Sequence, residues 1–204
     1  MLIIGLTGSM GMGKSTAAAQ FRALGIGVFD ADAAVHRLYG GPLTEEIEAA
    51  FPGTTVAGKV DRGLLSAELL RAPSRIHELE QIVHPRVREE ERAFLAAEHA
   101  RGARMAVLEI PLLFESGVDG SVDVVVVVSA PHHVQRGRLL ERSGMSEAKL
   151  TQLLARQMAD DKKRSQADFI VDTSGPVEAC HAQIEDIVTN LAGRRGTAYA
   201  RFWQ

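Results

Sequence analysis

Gly8-Ser9-Met10-Gly11-Met12-Gly13-Lys14-Ser15 has the residue types and spacing of a loop that grips phosphate. Glycines at 8, 11 and 13 let backbone N–H groups close around an anion, and a helix beginning behind them adds partial positive charge. Lys14 can reach the β- and γ-phosphates of a nucleoside triphosphate, and the Ser15 hydroxyl can ligate Mg²⁺. An apolar run, Leu2 to Leu6, precedes the loop, and Thr16 to Phe21 reads as a helix behind it. A glycine-rich turn ahead of an ordinary helix is the plain alternative. The strand–loop–helix order with Lys14 and Ser15 favours phosphate. Gly8, Gly11, Met12, Gly13, Lys14, Ser15 and Thr16 are therefore the expected triphosphate contacts.

Two further acidic positions fall where apolar runs end. Asp30-Ala31-Asp32 follows Ile26–Phe29, and either acid can cap the helical run behind it. A cap accounts for one carboxylate, so one of the pair is also a candidate base for an acceptor hydroxyl. Glu109 closes Met105–Leu108, a position from which an acid assists Mg²⁺ through a water; a capping carboxylate is the alternative. Gln135, Arg138 and Arg142, at i, i+3 and i+7, are expected on one helical face. From Pro131 to Arg164 stand eight Lys/Arg, Arg156 among them, against four acids, whereas the whole chain carries −3. A solvated face would look similar, but the sign contrast favours an anion-facing lid over about 131–165. His84, before Pro85, reads as a structural hydrogen-bonder.

Five apolar runs position these groups: Leu2–Leu6, Ile26–Phe29, Met105–Ile110, Val122–Val128 and Phe169–Val171. Alternation with helical patterns predicts an α/β fold with a parallel sheet covered on both faces. Ile76–Ala100 reads as a long helical stretch broken by Pro85, and Pro176–Leu191 as a helix burying Cys180. Some 75 residues between the second and third runs must be a helical excursion, an insertion over about 40–102 suited to a second substrate. The tail Arg194–Gln204 is expected to fray, with an aromatic partner contact as the alternative.

Composition narrows the function classes. The 204 residues suffice for one domain with an insertion and a lid. The net charge of −3 argues against non-specific nucleic-acid binding. One cysteine allows neither an internal disulfide nor a cysteine zinc site and suits a reducing cytoplasm. No run is long enough to span a bilayer, so no membrane role is expected. A monomer or small homo-oligomer fits equally.

Taken in order, the chain resembles the dephospho-CoA kinase family along essentially its whole length. The resemblance rests on Gly5-Leu6-Thr7-Gly8, Gly13-Lys14-Ser15-Thr16, Asp30-Ala31-Asp32, Asp61-Arg62 and His84-Pro85-Arg86-Val87. It continues through Ile110-Pro111-Leu112-Leu113-Phe114-Glu115, Gln135, Arg138-Leu139, Arg142, Gln157-Met158 and Ala167-Asp168. It implies a three-layer P-loop fold and transfer of the ATP γ-phosphate, with Mg²⁺, to the ribose 3′-hydroxyl of 3′-dephospho-CoA. It singles out Asp32 as the base and makes Arg138 and Arg142 lid residues near the phosphates. It assigns Asp61, Arg62, His84, Arg86, Leu113 and Phe114 to the acceptor. Glu109 stands where the family commonly has Asp, and Asp172-Thr173 where it often has Asp-Asn, which bears on any side-chain contact to adenine from position 173.

Other readings meet obstacles in the residues. A regulatory GTPase needs an Asn-Lys-x-Asp motif, and the one asparagine, Asn190, precedes Leu191. A kinase for a nucleoside monophosphate or shikimate is opposed by the segments around His84 and Ile110. A non-catalytic sensor would have no need of Lys14, Ser15, Asp32 and both lid arginines together.

Overall fold

The computed structural model describes residues 1–155 and 157–204; Arg156, counted above in the lid charge, lies outside them. In chain order the elements are β1 (Leu2–Thr7), α1 (Lys14–Ala23), β2 (Gly27–Asp30), α2 (Ala31–Tyr39), α3 (Thr44–Ala50), β3 (Thr55–Val56), β4 (Lys59–Val60) and α4 (Arg62–Arg71). Then come α5 (Ile76–Ala100), β5 (Met105–Glu109), β6 (Val124–Ser129), α6 (His132–Leu140), α7 (Glu147–Leu154), α8 (Asp160–Ser165), β7 (Phe169–Asp172) and α9 (Val177–Leu191). They form two compact units, one of Met1–Phe29 with Leu95–Gln204, the other of Asp30–Phe94.

The first unit is built on a five-stranded sheet of order β2-β5-β1-β6-β7, with β1 parallel to β5 and β6, and β6 parallel to β7. Continuous runs such as Val124–Val128 suit strands buried on both faces, and β1, β5 and β6 are buried throughout. Alternate side chains, Leu2, Ile4 and Leu6 with Val124, Val126 and Val128, meet Ala17, Phe21, Ile184 and Leu191 of α1 and α9. Each such side chain contributes about 1.5–3 kcal/mol by leaving water. Cys180 sits in this core, where burial pushes its thiol up.

The tail corrects the expectation of fraying. Trp203 is buried and its Nε1 donates to the Ser121 carbonyl at 2.8 Å. Asp123 fixes the approach: one carboxylate oxygen accepts from the N–H groups of Thr197 and Ala198, the other from Ile3. The His99 and Tyr199 rings stack at 4.5 Å.

The second unit packs Leu38, Leu43, Ile47, Phe51, Val60, Leu65 and Val83 into its own core. It is not purely helical as expected: β3 and β4 form an antiparallel hairpin. Its two-residue turn, Ala57-Gly58, has positive φ at both positions, as the strand twist demands. Pro85 does not break the long helix, which runs from Ile76 to Ala100. The proline ring removes one donor, that of the Gln81 carbonyl, and Gln81 is exposed, so solvent can take its place. Near that stretch Glu91 is buried, and burial pushes its carboxyl up to about 7, against the pull of Arg88 at 3.6 Å.

Candidate active site

The loop after β1 adopts the conformation its glycines permit. Gly8, Gly11 and Gly13 have φ of 149°, 79° and 89°, values that side-chain-bearing residues rarely adopt. At Gly8 a Cβ would also lie 2.5 Å from the Val128 carbonyl oxygen, so bulk and backbone both demand glycine. Gly13 caps α1 without a side-chain acceptor, and no acid lies in the first turn. That helix end therefore offers uncapped N–H groups and an uncompensated positive dipole to an anion. Lys14 Nζ donates to the Gly8 carbonyl at 2.7 Å, which lays the ammonium back along the loop. Ser15 is exposed and Thr16 half-buried. Glu109 is buried at the end of β5, in register with Leu6 of β1.

Side chains from α6 and beyond brace the loop's backbone. Gln135 Nε2 donates to the Met10 carbonyl at 2.8 Å, and the Met10 N–H donates to Gln157 Oε1 at 3.0 Å. Arg138 donates to the Gly11 carbonyl at 3.4 Å, to Thr173 Oγ1 at 3.2 Å and to the Thr173 carbonyl at 2.5 Å. The Thr173 hydroxyl donates to the Met12 carbonyl at 2.7 Å. Met12 is buried, and its sulfur accepts the Ala130 N–H at 3.2 Å. Beside the loop lies a cavity of about 580 Å³, lined among others by Ser9, Met12, Gln157 and Asp160. There Ser129 Oγ accepts from Arg164 and donates to Asp160.

The shared helical face expected for Gln135, Arg138 and Arg142 is corrected. The helix stops at Leu140, so Arg142 lies beyond it, exposed, while Gln135 and Arg138 reach the loop. The charged stretch is not simply a solvated surface either. Lys163 is fully buried, 2.8 Å from Glu115 and 3.3 Å from the Pro111 carbonyl. Burial works to raise the Glu115 carboxyl, but Lys163 and the Met158 N–H outweigh it and hold it below the usual carboxylate range. Leu113 is fully buried against Gly5, and Phe114 nearly so; the apolar side chain that segment exposes is Leu112.

In the unit Asp30–Phe94 the aspartate pair divides its roles. Asp30 caps α2, accepting the Ala33 N–H at 2.9 Å. Asp32, in the first turn, is exposed and accepts no hydrogen bond among the described residues. Asp61 caps α4 through the N–H groups of Gly63 and Leu64. Arg62 lies 3.2 Å from His36 Nδ1. His84 is exposed and lines a groove with His77, Glu80 and Arg88. Arg86 pairs with Glu46 at 3.0 Å and Glu89 at 3.4 Å, which holds its guanidinium firmly charged.

Sequence reasoning gave Thr173 and Gln157 no part in positioning the loop, nor Lys163 any in holding the segment after β5. The signals were faint: a small hydroxyl after a strand, an amide beside the charged lid, and a lysine indistinguishable by composition from its solvated neighbours.

Comparison with known proteins identifies the family. The dephospho-CoA kinase family model matches residues 2–178. A dephospho-CoA kinase of Rhodopseudomonas palustris is 53% identical, the alignment covering 94% of this chain and 96% of that one. One from Mesorhizobium japonicum is 51% identical over 97% of this chain and all of its own. A crystal structure from Thermus thermophilus superposes with a TM-score of 0.81 at 35% identity, covering 94% of this chain and 98% of that one. With a phosphate-gripping loop opening α1 and a family match over nearly the whole length, the chain belongs to the dephospho-CoA kinase family of P-loop kinases.

Proposed function

We propose that this enzyme transfers the γ-phosphate of ATP to the ribose 3′-hydroxyl of 3′-dephospho-CoA, giving CoA and ADP, the final step of coenzyme A biosynthesis. One observation carries the reading: the loop Gly8–Ser15 adopts an anion-gripping conformation at the start of α1 in a chain of this family. Lys14 and the loop amides hold the β- and γ-phosphates. The acceptor oxygen bonds to the γ-phosphorus as the bond to the β–γ bridging oxygen breaks, and ADP leaves. Asp32 takes the hydroxyl proton; Asp30 is committed to its cap, which leaves Asp32 the exposed acid of the pair. Arg142, exposed just past α6, supplies lid charge to the transferring group, and Arg138 acts from the loop's edge. Closure of the lid would keep water from competing as acceptor.

The residues present fit Mg²⁺. Ser15 offers a hydroxyl and Glu109 a carboxylate, and among the described residues no cluster of three or more His, Cys, Asp or Glu forms a protein cage. Mg²⁺ favours such sparse protein ligation, with waters and phosphates completing its shell. When bound it would neutralise charge on the β- and γ-oxygens.

The insertion, with Asp61, Arg62, His84 and Arg86, is assigned to the acceptor, as are Leu113 and Phe114 through the segment they anchor. We read the enzyme as cytoplasmic, a monomer or small homo-oligomer, without nucleic-acid or membrane partners. No described helix is long and apolar enough to cross a membrane. The test is ADP release from Mg·ATP with dephospho-CoA, AMP, shikimate or no acceptor. Turnover that needs dephospho-CoA is expected; equal turnover without acceptor would overturn the reading in favour of an ATPase or sensor.

A further inference from the structure

Three consecutive carbonyls at the crest of the phosphate loop are each held by a side chain from outside it. Met10 is held by Gln135, Gly11 by Arg138 and Met12 by Thr173. A peptide unit is planar and trans, so a carbonyl fixed in one direction turns the following N–H the opposite way. Holding the Met10 and Met12 carbonyls therefore aims the N–H groups of Gly11 and Gly13 away from those braces. Neither N–H makes a hydrogen bond among the described residues. The N–H between them, that of Met12, is closed onto the Ser9 carbonyl at 3.1 Å.

Thr173 is the centre of this bracing. It is buried, and its hydroxyl has one proton and two lone pairs to place. Of the two carbonyls within reach, Met12 at 2.7 Å takes the proton over Ser129 at 3.3 Å, and Arg138 Nη1 donates to the oxygen. Its own carbonyl takes the second arm of the guanidinium, and its N–H donates to the Ser129 carbonyl at 2.9 Å. A Cβ at Gly13 would sit 3.2 Å from the Thr173 side chain, so the hydroxyl bears directly on the Met12–Gly13 peptide.

We propose that Thr173 is a positioning residue for the triphosphate: its hydroxyl couples Arg138 to the Met12 carbonyl and so aims the Gly13 N–H at phosphate. The inference rests on the reading of Gly8–Ser15 as the ATP loop, and it changes what Arg138 does. Its fork is occupied by the loop and by Thr173, so it shapes the phosphate cradle, and Arg142 is left as the lid cation. Thr173→Val keeps the side-chain shape but can neither donate to Met12 nor accept from Arg138. Thr173→Ser keeps both bonds.

The test is equilibrium titration of the full chain with a fluorescent ATP analogue, without acceptor, alongside steady-state kinetics and thermal unfolding. Thr173→Val should bind the nucleotide about tenfold more weakly and raise KM for ATP in proportion. KM for dephospho-CoA should stay within about twofold, and Thr173→Ser should bind within about twofold of wild type. A purely structural role would lower the unfolding temperature and leave nucleotide affinity intact. Wild-type affinity in Thr173→Val, or equal losses in the valine and serine variants, overturns the proposal. Should Thr173→Val fail to fold, Arg138→Lys serves, because one ammonium cannot span the Gly11 carbonyl and both Thr173 oxygens; unchanged affinity there overturns the proposal equally. A wild-type chain that binds no ATP overturns the functional reading and this inference with it, whereas normal wild-type binding with an indifferent Thr173→Val sinks this inference alone.

Discussion

Gln135 and Thr173, which hold the backbone of the phosphate loop, and Lys163 of α8 are all below one-tenth exposure, whereas Asp32, Arg62, His84 and Arg86 stand exposed on the unit Asp30–Phe94. The first group acts on backbone: Gln135 and Thr173 hold carbonyls of the loop, and Lys163 ties α8 to the Pro111 carbonyl and Glu115. The second group is held by exposed partners, as in the Arg86–Glu46 pair, or, as at Asp32, by no side-chain hydrogen bond among the described residues. A triphosphate gripped by N–H dipoles needs those dipoles fixed before it arrives, and buried hydrogen bonds fix them. An acceptor recognised by exposed side chains can be met with ordinary surface mobility.

The contrast can be broken most severely at Asp32. Asp32→Asn should lower kcat by about 10²–10⁴-fold while ATP affinity, measured by titration, stays near wild type. A near-normal kcat would remove Asp32 from the role of base.

Deleting a charge in the buried frame is the next largest change. Lys163→Met leaves the Glu115 carboxylate without its cation and should cost about 2 kcal/mol in urea unfolding, less than a fully buried pair would, because that carboxylate is partly solvated and keeps the Met158 N–H. A loss below about 1 kcal/mol would mean that the pair does not tie α8 to the segment after β5.

Glu91 shows that the other unit has a buried charge of its own. Its folded value, about 7, lies above the ordinary carboxylate value, so the folded chain keeps a proton that the unfolded chain releases. Its contribution to stability is therefore fullest below about pH 4.5 and declines as pH rises through 7. Glu91→Gln should stabilise the protein by about 2 kcal/mol at pH 8 and flatten that slope, as read from unfolding midpoints across pH.

The smallest effect is expected at Arg86, which makes only exposed pairs. Arg86→Ala should leave the urea unfolding midpoint nearly unchanged yet raise KM for dephospho-CoA. A stability loss with unchanged KM would move Arg86 from the acceptor to the scaffold.

Much of the fold was legible because its signals are local. The five apolar runs matched strands to within two residues, and the glycines of the loop declared their conformation by spacing. What stayed hidden depends on which residues meet across long separations. Lys163 looks like any lid lysine until Glu115, 48 positions away, is placed beside it. Thr173 joins Met12 across 161 positions, and no periodicity encodes that bond. The tail misled because short aromatic-basic segments usually fray, and it takes Asp123, Ser121 and His99, all far upstream, to explain why this one does not.

The Asp123 clasp makes the folding of β1 depend on a distant part of the chain. Ile3, in the strand that leads to the nucleotide loop, shares one carboxylate with Thr197 and Ala198, and Trp203 closes beneath Ser121. The end of β1 is thus sealed only when Thr197 and Ala198, at the far side of the sequence from Ile3, have folded back onto the same carboxylate. Native packing of that corner comes with the slow closure that such distant pairings impose.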